Sequence, residues 1–263
     1  MFFAYNGRKI CYYDIGKGIP VVLLHGYLET SEVWHGIAKK LSEKFRVISV
    51  DLPGHGMSDL YETTHTMEFM ANVVKELLVS LNIKKVFLTG HSLGGYVTLA
   101  FLELFHDYLS GYALFHSHPF PDTPETIEKR MREITFVQEG KQEMFYPDNI
   151  KRMFAVSNLE KFNDAVNHLL GIASRLNGNG IIAVLNGMMT RPSRLSLMEA
   201  GSVPCLWILG ARDNYIPCEV IQARVRLPSN ARLVVLRNSG HMGFIEEEEL
   251  SLKILSDFVT SIE

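Results

Sequence analysis

Two hydrophobic periods alternate along this chain. Short unbroken apolar runs (Val21-Val22-Leu23-Leu24, Arg46 to Val50, Lys85 to Thr89, Tyr112 to Phe115, Pro204 to Leu209, Arg232 to Leu236) predict buried strands, and Lys9 to Tyr13 predicts an earlier one. Trp34, Ile37, Ala38 and Leu41 recur at helical spacing, as do Phe69, Met70, Val73, Val74, Leu77, Leu78 and Leu81 within 67–81. Gly94 to Phe105 and about Glu246 to Ile262 read as further helices. Strand and helix therefore take turns, the rhythm of an α/β fold whose mostly parallel sheet is covered on both faces.

Between His116 and Ser202 the rhythm lapses. That stretch has no convincing strand but several helical patterns. Thr123-Pro124-Glu125 offers an N-cap, a proline at the first helical position and an acid in the first turn; Ile127, Met131 and Ile134 then share one face until Gly140. Phe162, Val166, Leu169, Leu170 and Ala173 repeat the pattern up to the break Asn177-Gly178-Asn179-Gly180, and Ile181 to Met189 form another helix before Arg191-Pro192. The expected division is a core of residues 1–117 and 203–263 with a helical lid, 118–202, inserted before the strand that precedes Asp213. The lid is rich in methionine and phenylalanine. Most of these side chains are expected to pack it onto the core, with Met131, Met144 and Met188 as candidates for lining an adaptable apolar pocket.

Composition narrows the function. At 263 residues, 47% hydrophobic and 21% charged, the chain suits one large globular domain and not a disordered one. A net charge of −3 with no run of Lys and Arg removes the electrostatic case for nucleic acid. The apolar opening Met1 to Tyr5 breaks at Asn6-Gly7-Arg8-Lys9, too early for a signal-peptide core, and no later run spans a bilayer. Cys11, Cys205 and Cys218 are odd in number and lack metal-ligand spacing, so packing in a reduced, cytoplasmic setting is expected. The run Glu246 to Glu249 reads as a solvated helix start. Oligomeric state leaves no trace in the pattern.

The chemistry gathers where strands end. Gly90-His91-Ser92-Leu93-Gly94 joins a strand to a helix, and a serine on so sharp a turn needs small neighbours two residues to either side. The turn lifts Ser92 out of the sheet as a nucleophile and turns the amide of Leu93 towards the same point. A serine hydroxyl needs a base, and the base needs an orienting carboxylate. His241, in the loop Asn238-Ser239-Gly240-His241-Met242-Gly243 after the last strand, is the candidate base. Asp213, after Leu206 to Gly210, is the candidate acid, and the chain order Ser, Asp, His supports the set. Asp122 is a rival acid whose place before Thr123-Pro124 also suits a helix start. The amide of Tyr27, in His25-Gly26-Tyr27-Leu28 after an early strand, is the second candidate oxyanion donor. His116 and His118 follow a strand at the lid entrance and are candidates for touching substrate.

With these pieces assembled, and with Asp51-Leu52-Pro53-Gly54-His55-Gly56-Met57-Ser58-Asp59 added, the sequence resembles the α/β-hydrolase superfamily over nearly its whole length. It is most similar to the small lidded carboxylesterase, lactonase and carbon–carbon hydrolase members. Within that pattern His25 and His55 shape their loops. Ser92 at the nucleophile position, where dehalogenases and epoxide hydrolases carry Asp, disfavours those chemistries. The resemblance implies a serine hydrolase acting on a small, partly apolar acyl substrate through an acyl-enzyme, with neither cofactor nor metal. A lactone or carbon–carbon hydrolase with the same triad is an alternative, as is a ligand-binding pseudoenzyme on the same fold. Activity is expected to fall as pH drops through an imidazole pKa of roughly 6–7.

Overall fold

The computed structural model describes residues 1–262. Eight strands, β1 (Phe2–Tyr5), β2 (Arg8–Gly16), β3 (Pro20–Leu24), β4 (Arg46–Val50), β5 (Val86–His91), β6 (Leu109–Phe115), β7 (Cys205–Gly210) and β8 (Ala231–Leu236), form one sheet in the order β1-β2-β4-β3-β5-β6-β7-β8. β2 runs antiparallel to β1 and β4, and every pair from β4 to β8 is parallel. The central runs are apolar throughout because both faces are covered: every residue of β5 and β7 is buried.

Helices α1 (His35–Leu41), α2 (Met67–Ser80) and α3 (Leu93–Phe105) connect the early parallel strands. Five more, α4 (Pro124–Gln138), α5 (Tyr146–Met153), α6 (Asn163–Ser174), α7 (Gly178–Met189) and α8 (Leu195–Ala200), stand between β6 and β7. α9 (Cys218–Gln222) precedes β8, and α10 (Gly243–Glu246) and α11 (Glu248–Ser261) follow it. Among the described residues, no helix is long and apolar enough to cross a membrane. The three cysteines are buried and free.

One element was not foreseen in the sequence, and two sequence expectations need correction. The opening residues form β1, the outer arm of a hairpin with Phe3 paired to Ile10, and its turn places Asn6 and Gly7 at φ 47° and 76°. Asn177-Gly178-Asn179-Gly180 begins α7 as well as ending what precedes it, since the Asn177 side chain accepts from the Asn179 amide at 2.9 Å. A Cβ on Gly180 would lie 2.0 Å from the Gly54 carbonyl oxygen, so the glycine lets α7 press onto the loop after β4. Thirdly, the Glu246–Glu249 run is only partly solvated. Glu246 is buried and accepts from the amides of Ala155 and Gly240 at 2.8 Å each, while Glu247 accepts from the Asn238 amide and the Ser239 hydroxyl.

Trp34 lies fully buried where the loop after β3 meets α10. It stacks on Phe244 at 4.2 Å between ring centroids and meets His91 edge-on at 6.3 Å.

Candidate active site

Tyr27, Ser92, Asp213 and His241 sit just beyond the carboxyl ends of parallel strands, where the side of the sheet opens into loops. Ser92 follows β5 and starts α3 with φ 47° and ψ −110°, a backbone state costly for a residue with a Cβ. The surroundings enforce it. A Cβ on Gly90 would lie 2.1 Å from the Gly94 carbonyl oxygen, and one on Gly94 would lie 2.4 Å from that of Leu24. The Ser92 amide donates to the Phe115 carbonyl at 3.0 Å, and the Ser117 hydroxyl donates to the Ser92 carbonyl at 2.8 Å. Leu93 supplies the first amide of α3, one of the donors a helix leaves without an internal acceptor.

His241 and Asp213 meet at the ends of β8 and β7. The imidazole Nδ1 donates to Asp213 Oδ2 at 2.7 Å, and Asp213 Oδ1 accepts from the amides of Tyr215 (2.8 Å) and Ile216 (2.9 Å). Burial alone would raise the Asp213 pKa, but the facing His241, with the nearby His116 ring in support, outweighs it and holds the carboxyl well below its ordinary range. Burial alone would lower the His241 pKa. The facing Asp213 carboxylate, helped by Glu29 and Glu246, overcomes this and leaves the imidazole above its ordinary value of 6.5. With Nδ1 committed to the acid, Nε2 is the nitrogen free to exchange a proton. Backbone bonds fix the ring's position, because the His241 amide donates to the Met153 carbonyl at 2.6 Å and Glu246 holds the preceding glycine.

The loop after β3 is clamped from beneath. His25 accepts from the Leu52 amide through Nε2 (3.0 Å), so its Nδ1 donates to the Gly26 carbonyl at 2.8 Å. The Gly26 amide donates to Glu29 Oε2 at 2.6 Å, and the same oxygen lies 3.0 Å from His91 Nδ1. His91 Nε2 in turn donates to the His241 carbonyl at 2.9 Å. Glu29 is entirely buried; burial would push its pKa up, yet His91 and the Gly26 amide hold it below its ordinary value. One carboxylate thus ties the Tyr27 loop to the residue beside Ser92 and, through it, to the backbone of His241.

The sequence pattern of the alpha/beta hydrolase fold family matches residues 19–157. This chain belongs to that family. It superimposes on an esterase from Thermogutta terrifontis, solved with malate bound, with a TM-score of 0.93 and 29% identity, covering 99% of this chain and 97% of that one. It is 28% identical over 241 residues to (E)-2-((N-methylformamido)methylene)succinate hydrolase of Acinetobacter baylyi, covering 90% of this chain and 89% of the relative. An enol-lactonase from Burkholderia xenovorans shares the fold at a TM-score of 0.88 and 22% identity, covering 99% of this chain and all of that one.

In this α/β hydrolase a cavity of about 360 Å³ opens over the strand ends, within the size range of small-molecule sites. Ser92, His241 and Tyr27 line it together. Among the described residues, no hydrogen bond joins the Ser92 hydroxyl to His241; bonds of this kind often tighten only in the substrate complex. His118 and Met188 also line the cavity. His116, Met131 and Met144 do not, contrary to the sequence expectation. His116 is fully buried behind the acid; its Nε2 accepts from the Gly243 amide at 3.1 Å and its Nδ1 lies 3.5 Å from Asp213 Oδ2, too loosely placed for a full hydrogen bond. Burial lowers its pKa to about 4, so the ring is a neutral brace for Asp213. Met131 and Met144 are 57% and 68% exposed; for Met131 the reason is that α4 turns Glu133 inward, where it accepts from the Tyr27 hydroxyl and the Asn149 amide. Asp122, the rival acid, is bound by Arg130 and Arg191 instead.

Sequence reasoning missed Glu29, Glu133, Glu246 and Tyr215. The first three are acids whose buried partners lie far off in sequence. Tyr215 carried one signal, its place two residues after Asp213, where an aspartate commonly accepts from backbone.

Proposed function

We propose that this hydrolase is a serine carboxylesterase acting on a small, partly apolar acyl substrate, with residues 118–202 as a lid over a core of 1–117 and 203–263. Ser92 Oγ attacks the carbonyl carbon while its proton passes to His241 Nε2. Asp213 holds the imidazole in the tautomer that can accept that proton and stabilises the charged ring. The amides of Tyr27 and Leu93 receive the negative oxygen; losing one such donor costs roughly 3–4 kcal/mol of transition-state stabilisation. Collapse expels the alcohol, which leaves with the proton from His241. A water then gives a proton to His241 and attacks the acyl-enzyme, releasing the acid and restoring Ser92.

The observation that carries this reading is the 2.7 Å bond to Asp213, whose other oxygen is filled by two amides, from a His241 that lines the same cavity as Ser92. That is the arrangement a general base requires and a surface histidine lacks. Ser92→Ala is expected to lower kcat for a neutral aryl ester on the order of 10⁴-fold or more, with the circular dichroism spectrum unchanged. Retained turnover in a folded variant overturns the assignment. Lactones and vinylogous diketones assayed beside the esters separate the two related chemistries that the same three residues could perform.

A further inference from the structure

Charge in the cavity is unevenly distributed. Four cations line it, Lys129, Arg130, Arg152 and Arg224, against two carboxylates, Glu29 and Asp122. Both carboxylates are already engaged. Asp122 binds Arg130 at 2.5 Å and Arg191 at 2.7 Å, and Glu29 Oε2 is held by the Gly26 amide and His91. Lys129, Arg152 and Arg224 are thus left without a carboxylate within 4.0 Å among the described residues, whereas Arg130, on the same wall, has Asp122.

The three are held by aromatic faces instead. Lys129 Nζ lies 5.3 Å and Arg152 Cζ 5.1 Å from the centre of the same Tyr215 ring, and Arg224 Cζ lies 3.9 Å from that of Phe120. A π face orients a cation but leaves its charge unneutralised. Tyr215 is also a neighbour of the proposed base, with its ring 5.3 Å from that of His241 and its amide on Asp213. Two cations therefore converge one aromatic ring away from the reacting groups. Burial holds the Lys129 ammonium below its ordinary pKa, and Arg152 and Arg130 reinforce the effect against Glu133. Positive charge gathered on one wall of the cavity, next to the reacting groups, suits an anion.

We propose that the substrate carries an anionic group, a carboxylate or a phosphate, which Lys129, Arg152 and Arg224 bind while its acyl carbon rests at Ser92. This rests on the esterase reading for the reaction but not for the binding. Two guanidiniums and an ammonium give both a planar fork and a point charge for oxyanion oxygens. Arg152 and Arg224 are exposed, so the attraction is expected to weaken with salt.

Two matched pairs test it: 4-nitrophenyl hydrogen glutarate against the corresponding glutaramate, and 4-acetoxybenzoate against 4-acetoxybenzamide. These place the charge on the acyl side and on the leaving-group side respectively. In at least one pair the anionic member is expected to show a kcat/KM higher by about tenfold, the equivalent of about 1.4 kcal/mol. That ratio should shrink at high ionic strength and approach one in the Lys129→Met, Arg152→Gln, Arg224→Gln variant. Equal rates in both pairs, or a ratio the triple variant keeps, overturns the proposal. Calorimetric titration with glutarate and, separately, inorganic phosphate reads binding without turnover and tells the two oxyanions apart. Saturable binding of either that the triple variant loses supports the site, and binding of neither overturns it. Should no ester turn over while glutarate or phosphate binds, the esterase reading fails and the anion site stands.

Discussion

At the level of single residues, the protonation of His241 would set the operating range of the proposed reaction. Its folded pKa lies above 6.5 because Asp213 faces it, so the base is neutral, and competent, only above that raised value. The acid limb of kcat/KM is therefore expected above the 6.5 of an unperturbed imidazole. Asp213→Asn removes the facing charge and should move the limb to lower pH while cutting kcat on the order of 10⁴-fold. A pH–rate profile of the two proteins checks both, and an unmoved limb would detach Asp213 from the base. The strained turn at Ser92 was readable from the sequence, because a strand followed by G-x-S-x-G has few backbone solutions, and the placing of Asp213 and His241 at neighbouring strand ends was readable from the apolar runs before them. Glu29 was not. Its importance lies in a hydrogen bond to Gly26 and a contact with His91, sixty-two positions away, and nothing local distinguishes it from a surface glutamate.

Among the elements, the parallel strands were the most legible, since burial on both faces writes an unbroken apolar run. β1 escaped because a short edge strand only half-buries alternate residues, although Asn6-Gly7 between two runs is a known hairpin-turn signal. The face of α4 was misjudged for another reason. Periodicity favours Ile127, Met131 and Ile134, but the Tyr27 hydroxyl and Asn149 draw Glu133 inward and leave Met131 outside. The docking of α7 carries a prediction of its own. Gly180→Ala would drive a methyl into the Gly54 backbone, where no flexible side chain can yield. The variant should lose about 1–3 kcal/mol, the usual range for overpacking, despite the better helix propensity of alanine. Urea denaturation would register this as a lower midpoint at unchanged slope, and a midpoint equal to that of the parent would mean that α7 is not seated as described.

Across the whole molecule, buried histidines dominate the response to acid. His55, His65 and His116 are almost inaccessible to water, and burial lowers their pKa values to about 3, about 4 and about 4. The unfolded chain takes up protons at these rings from about 6.5 downward while the folded one refuses them. Each therefore withdraws up to about 1.4 kcal/mol of stability per pH unit below 6.5. His241 works in the opposite sense, since its raised value adds stability that is complete below 6.5 and fades as pH rises through the folded pKa. Asp213 and Glu29, both depressed, lose their contribution only below about 4, after the histidines have acted. Stability in urea is therefore expected to decline from pH 6.5 to pH 5, before the carboxylates titrate. A flat profile across that interval would contradict the burial of these three rings.

Trp34 gives the molecule an intrinsic optical reporter. The chain has two tryptophans, both shut away from water, and this one lies against Phe244, three residues after His241, with an imidazole at its edge. Imidazole rings quench indole emission at close range, so a ligand that shifts the 238–244 loop would alter the brightness of the protein itself. Occupancy could then be followed in a stopped-flow cuvette with no label and no chromogenic product, including for compounds that bind and never react.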